Sequence, residues 1–184
     1  MMNEKELYNY KMTEDELQKW CQFQNQIISD CRQVEIPSSF SEYIKTQVNP
    51  IEPYIHTAGY CNNVGYFYIT EGDRGEIFLK CLSFNLENIR WYIMEKILTH
   101  IGQQLELQHR KPEENGNWIY NAVYDSRKYW FEYAIASLSK IFNADRINPY
   151  VTDQIDLMNR WFDVPHWDFS YEKMCFVEIN DSRE

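Results

Sequence analysis

The chain is poor in the short signatures that usually betray chemistry. Its five cysteines, at 21, 31, 61, 81 and 175, form an odd set with no CxxC pair, which leaves a zinc site or a disulfide framework without a starting point. Cys21 and Cys31 would lie roughly 15 Å apart along one helix, too far for a disulfide. Reduced, mostly packed thiols are therefore expected. There is no HExxH, and His56, His100, His109 and His166 contain no i, i+4 pair; His100 and His109 would point about 180° apart on an ideal helix. No metal site and no cofactor are expected. A GxSxG elbow is missing, and Gly59, Gly65, Gly72 and Gly75 read as turn and bulge positions, since no Lys-Ser/Thr step follows them to make a phosphate loop.

Positive charge is also scarce. Eighteen Lys and Arg against 28 Asp and Glu leave a formal charge of -10, which repels nucleic-acid backbones and anionic lipid surfaces and would attract a basic partner. No apolar run approaches the length of a membrane span, and "MMNEKELYNYKM" lacks the basic start and apolar stretch of a secretory signal. The expectation is a cytosolic protein. Internal repeats, low-complexity tracts and a credible linker are absent too, so 1–184 is expected to form a single domain.

What the chain does have is apolar and aromatic surface. Hydrophobic residues make up 44% and aromatic ones 16%, from 14 Tyr, 10 Phe and 6 Trp, enough to order a core and to exclude general disorder. "TEDE" is a capping box in which Thr13 and Glu16 start a helix, and Leu17, Trp20, Cys21, Ile27, Ile28, Cys31 and Val34 trace its apolar face up to Pro37. A second box, Ser39 with Glu42, predicts a short helix through Gln47.

The period then changes. "YIHTAGY", "VGYFYIT" and "EIFLKCL" are rich in aromatic and branched residues and separated by turn-forming stretches, which predicts a three-stranded antiparallel meander. Asn85 caps the longest helix, where Leu86, Ile89, Ile93, Ile97, Ile101 and Leu105 form one line widened by Trp91, Met94 and Leu98. After "PEENGN", Asp125 or Ser126 opens another helix with a stripe of Trp130, Ala134, Leu138, Ile141 and Phe142. Asn148 and Pro149 read as the N-cap and first residue of a last helix carrying Val151, Ile155, Met158 and Phe162. Residues 173–179 read as a final strand along the sheet edge. The expected class is α+β: an antiparallel sheet of about three strands, with that C-terminal stretch as a candidate fourth, packed on four to five helices.

Only one stretch brings together residue types that catalysis uses. "HRKPEENGNWIYNAVYDSR" ends one helix with His109 and Arg110 and begins the next with Asp125 and Arg127. A small hydrolase or nucleic-acid-processing centre is one reading. The structural alternative is favoured, because cations suit a helix C-terminus and acids an N-terminus, so the same residues make a clasp between two helices.

The order of "YFYIT", "EGDRGE", "NLENIRWYIMEKI", "LELQHR" and "DSRKYWFEYAIASLSKI", across about residues 54–142, resembles the immunity protein 63 family of bacterial polymorphic-toxin systems. Where the family keeps Glu, Arg and Gly adjacent in the turn, Gly72 and Asp73 here separate Glu71 from Arg74 and Gly75. The resemblance implies a protein that binds and neutralises a cognate toxin domain, commonly a nuclease, with no turnover and no cofactor. A nuclease is basic around its cleft, so the excess of carboxylates would steer the two together. A general protein-binding adaptor is the remaining alternative.

Interleaved rings and carboxylates suit a docking surface, because aromatic side chains supply contact area with little lost rotamer freedom while acids pair with basic partners. "WFDVPHWDFSYE" has that composition. Asp163, Trp167, Asp168, Tyr171 and Glu172 are the expected contacts, with Glu113 and Glu114 as secondary ones.

Overall fold

The computed structural model describes residues 14–48, 56–61, 66–73, 76–83, 85–109, 126–160 and 165–179. Five α-helices and five strands lie among them: α1 Glu14–Gln33, α2 Ser41–Val48, β1 His56–Cys61, β2 Tyr66–Asp73, β3 Glu76–Ser83, α3 Leu86–His109, α4 Ser126–Leu138, α5 Ala144–Asn159, β4 Trp167–Ser170 and β5 Cys175–Glu178. The class is α+β. The chain divides into two compact units, Met1–Ile97 and Leu98–Glu184, the division falling within α3.

In the first unit, α1 buries Trp20, Phe23, Ile27, Cys31 and Val34, and the start of α3 buries Ile89, Ile93, Met94 and Ile97. These are helical spacings, so burial follows directly from the apolar period. Cys21, expected on the apolar face of α1, is exposed because it sits one step round the helix from Trp20. Asp30 is the exception on that face: a carboxylate 1% exposed, held by Arg90 of α3 through Nε–Oδ2 at 2.6 Å and Nη2–Oδ1 at 2.7 Å. Asn85 caps α3 as expected, its Oδ1 accepting from the Glu87 amide at 2.8 Å.

Strands β1, β2 and β3 form an antiparallel sheet in that order, and β1 runs against α1 and α2. Ile69 faces Cys81 while Thr70 faces Leu79, so Lys80 is an extra residue that makes a bulge. Gly59 stands inside the ladder opposite Tyr68, within its predicted strand, and Gly72 stands opposite Ile77 because β2 extends further than the turn pattern suggested. Thr13, Gly65 and Gly75 lie outside the described residues.

Helix α1 ends in a Schellman motif. Ile36 N–H donates to Cys31 O at 3.2 Å and Glu35 N–H to Arg32 O at 3.1 Å, with Glu35 at φ 60°. A side chain in this left-handed region costs about 1–2 kcal/mol, whereas glycine would lose roughly 0.4–1 kcal/mol through a freer unfolded chain. Glu35→Gly is therefore expected to raise stability by about 0.5–1 kcal/mol, read as a higher urea midpoint at unchanged slope. The Ser39–Glu42 box is replaced by a 3-10 turn over Ser38–Phe40, with α2 starting at Ser41 and Glu42 pairing instead with Lys45 at 2.6 Å.

The second unit buries Leu98 and Ile101 of α3, Phe131, Ala134, Ile135 and Leu138 of α4, and Ile147, Tyr150, Val151 and Met158 of α5. A Cβ at Gly102 would stand 3.1 Å from the Trp130 backbone, so the absence of a side chain lets α3 and α4 approach closely. Ile141 and Phe142 fall in the turn after α4 and are only partly buried. Helix α5 starts earlier than Asn148 and Pro149 implied: Asn143 occupies the N-cap and Pro149 lies inside. An interior proline forfeits one helical hydrogen bond, but Ile147, Tyr150 and Val151 bury themselves across that turn and hold it helical.

Candidate partner-binding hairpin

Among the described residues, strands β4 and β5 pair only with each other, in register Trp167↔Glu178, Asp168↔Val177, Phe169↔Phe176 and Ser170↔Cys175. The final strand is thus real, but it completes a separate hairpin and does not extend the β1–β3 sheet. Its partner strand is Trp-Asp-Phe-Ser, a stretch whose composition also suits a docking surface. The alternation was visible: Trp167 and Phe169 are buried while Asp168 between them is exposed.

A two-stranded hairpin is marginal alone, and this one is fastened to α4 and α5. Asn159, at the end of α5, imitates a neighbouring strand: its Oδ1 accepts from the His166 and Trp167 amides at 2.9 and 2.8 Å, and its Nδ2 donates to Trp167 O at 2.8 Å. On the other strand, Phe176 N–H donates to Glu132 Oε1 at 2.7 Å. Burial raises the Glu132 carboxyl above its ordinary pKa, opposed by that amide and by Lys128. Side chains thereby occupy backbone groups on both strands that would otherwise invite edge pairing. Asn159→Ala should strand those groups and destabilise by about 2–3 kcal/mol, measured by chemical denaturation. Loss below about 0.5 kcal/mol would show that water replaces the amide without penalty.

Beneath the hairpin, Phe176 packs against Phe169 and Phe131 with ring centroids at 5.2 and 6.4 Å. Trp167 is 2% exposed, and Lys128 Nζ stands 5.1 Å from its ring centroid. Its ring therefore serves the core of this unit, unlike the contact expected from sequence. At the turn, Tyr171 is 51% exposed, and its ring meets Phe169 edge-on at 5.4 Å, so a large side chain is held outward by a buried one. Glu172 and Lys173 are exposed beside it. Asp168 projects from the outer face of β4, its Oδ1 accepting from the Phe169 amide at 2.7 Å. Ile179, just past β5, is 44% exposed. Asp168 on β4 and Tyr171 and Glu172 in the turn are thus exposed on one braced hairpin, while Asp163, Glu113 and Glu114 lie outside the described residues.

Of the possible catalytic group, His109 ends α3, and Arg110 and Asp125 lie outside the described residues. Arg127 is placed: its Nη1 donates to Leu157 O at 2.8 Å, tying the start of α4 to a C-terminal carbonyl of α5. Arg127 thus ties α4 to α5, while Arg110 and Asp125 of the expected clasp lie outside the described residues. Among the described residues, no three His, Cys, Asp or Glu are placed to hold a metal, and no helix is long and apolar enough to cross a membrane.

No curated protein and no solved structure matches the chain. The family model of immunity protein 63 does match, over residues 62–144, which run from just before β2 to the first residue of α5. The resemblance read from the order of the aromatic strand, the long helix and its successor therefore holds: across that segment the chain is similar to immunity protein 63.

Proposed function

We propose that the protein is an immunity protein that binds a cognate toxin domain in the cytosol and covers its active site or substrate path, without turnover. The family match over 62–144 carries this reading. The hairpin lies beyond that segment, as expected of a part that distinguishes one toxin from another. A ring half-exposed and buttressed from below is a preorganised anchor, and flanking carboxylates add long-range attraction to a basic surface. With a formal charge of -10, the whole chain reinforces that attraction. A nuclease domain, which must neutralise phosphate, is the partner chemistry that fits best.

Co-expression with the toxin domain encoded immediately upstream is the direct test. Restored growth and a co-purifying complex are expected; continued toxicity with no complex at about micromolar concentration would overturn the reading. Within the complex, Asp168→Lys with Glu172→Lys should slow association by about tenfold at low salt and flatten its dependence on ionic strength. Unchanged association kinetics would move docking to other acids, of which Asp163, Glu113 and Glu114 are the next to reverse.

A further inference from the structure

A second recognition feature lies in the first unit, independent of the hairpin and of any toxin. Where α1 gives way to α2 there is a groove of about 300 Å³ with Ile28, Ile36, Pro37 and Ile44 among its walls. It is shaped by backbone bonds already described. The Schellman turn folds Ile36 back onto Cys31, Pro37 follows, and Phe40 N–H returns to Pro37 O at 3.0 Å. The groove is therefore formed before anything enters it.

Its charge runs against that of the molecule. In a chain of formal charge -10, both charged side chains lining this groove among the described residues are cations, Arg32 and Lys45. Arg32 is exposed and makes no ion pair among the described residues, and the Lys45–Glu42 pair is itself largely exposed, with side chains 66% and 85% accessible. An exposed pair of this kind is weak and readily shared. Cys31 adds no competing negative charge, because burial, then the neighbouring Asp30, pushes its thiol up to about 12. Apolar walls with a cationic rim complement an apolar body with an anionic head.

Size narrows the occupant further. At roughly 30 Å³ for each water-sized group, the groove's 300 Å³ takes about ten non-hydrogen atoms. This matches the small end of ligand pockets and falls short of the several turns over which an amphipathic helix lays its anchors. We propose that this groove binds a small amphiphilic carboxylate, with the hydrocarbon against Ile28, Ile36 and Ile44 and the carboxylate at the rim with Arg32 and Lys45.

Octanoate, whose anion has about ten non-hydrogen atoms and which is supplied as the sodium salt, is a suitable probe. Titrated into the full chain and followed by amide NMR shifts, it should give saturable changes at Cys31, Arg32, Ile36 and Ile44 with a Kd of about 0.1–1 mM. 1-Octanol and octylammonium, of the same length, should bind about tenfold more weakly, and Arg32→Glu should weaken octanoate by a similar factor. Ile36→Asp should remove the response to all three. The proposal is overturned if octanoate at about 10 mM moves none of these amides, if octanol binds as well as octanoate, or if the same amides shift with protein concentration alone. That last result would assign the groove to a second copy of the chain.

Discussion

Asp30→Ala is expected to destabilise the protein by about 3–5 kcal/mol, because it would leave a partly buried guanidinium without its principal partner. Asp30 receives two short bonds from Arg90 and a third from Gln26 Nε2 at 3.0 Å. The Arg90 side chain is only 16% exposed, and Glu87, another acid it meets, is on the surface at 3.1 Å. The bidentate carboxylate, chiefly through its hydrogen bond, raises the Arg90 pKa against the opposing effect of burial. Arg90→Lys should recover little of this, since an ammonium cannot reproduce the planar fork. The discriminating measurement is a double-mutant cycle by urea denaturation. Asp30→Leu with Arg90→Leu should lose less than Asp30→Leu alone, because no charge is then stranded. Additive losses would show that the two residues act separately.

Trp167→Ala should have a comparable effect, about 3–5 kcal/mol, through an unfilled cavity under the hairpin. The indole is almost wholly buried, and Lys128 lies against it. Tyr171→Ala provides the contrast, since its ring is half exposed and rests on Phe169 without enclosing it. Its stability should stay within about 0.5 kcal/mol of the parent, while toxin affinity should fall by about 2 kcal/mol, roughly thirtyfold. Denaturation curves and a binding isotherm on both variants separate the roles. If Tyr171→Ala binds normally, the hairpin tip is not the anchor; if Trp167→Ala is as stable as the parent, the burial of its ring contributes little.

These two residues show where sequence reasoning succeeds and where it stops. The tryptophan–aspartate–phenylalanine alternation carried a strand signal, but composition drew attention to docking, and burial assigned the two aromatic rings to the core. Tyr171 and Glu172 kept their exposed positions because they occupy the turn, where neither strand can cover them. Helix α5 shows the same limit: Asn148 and Pro149 make a plausible start locally, yet buried Ile147 and Tyr150 carry the helix through the proline.

The local periods were decisive for the elements themselves. Apolar residues three and four apart produce α1, α3 and α4, Asn85 stops the chain from fraying at the head of α3, and alternating branched and aromatic residues produce the three-stranded meander. All of these depend on neighbours within about one helical turn or one strand, so they are written in the sequence without reference to the rest of the chain. The Asp30–Arg90 pair joins residues 60 apart, Glu132 holds an amide 44 positions away, and β5 finds β4 rather than the larger sheet. Only tertiary packing decided these, because a charge or an orphan amide selects its partner from whatever the buried faces bring within reach, and that proximity has no local signature.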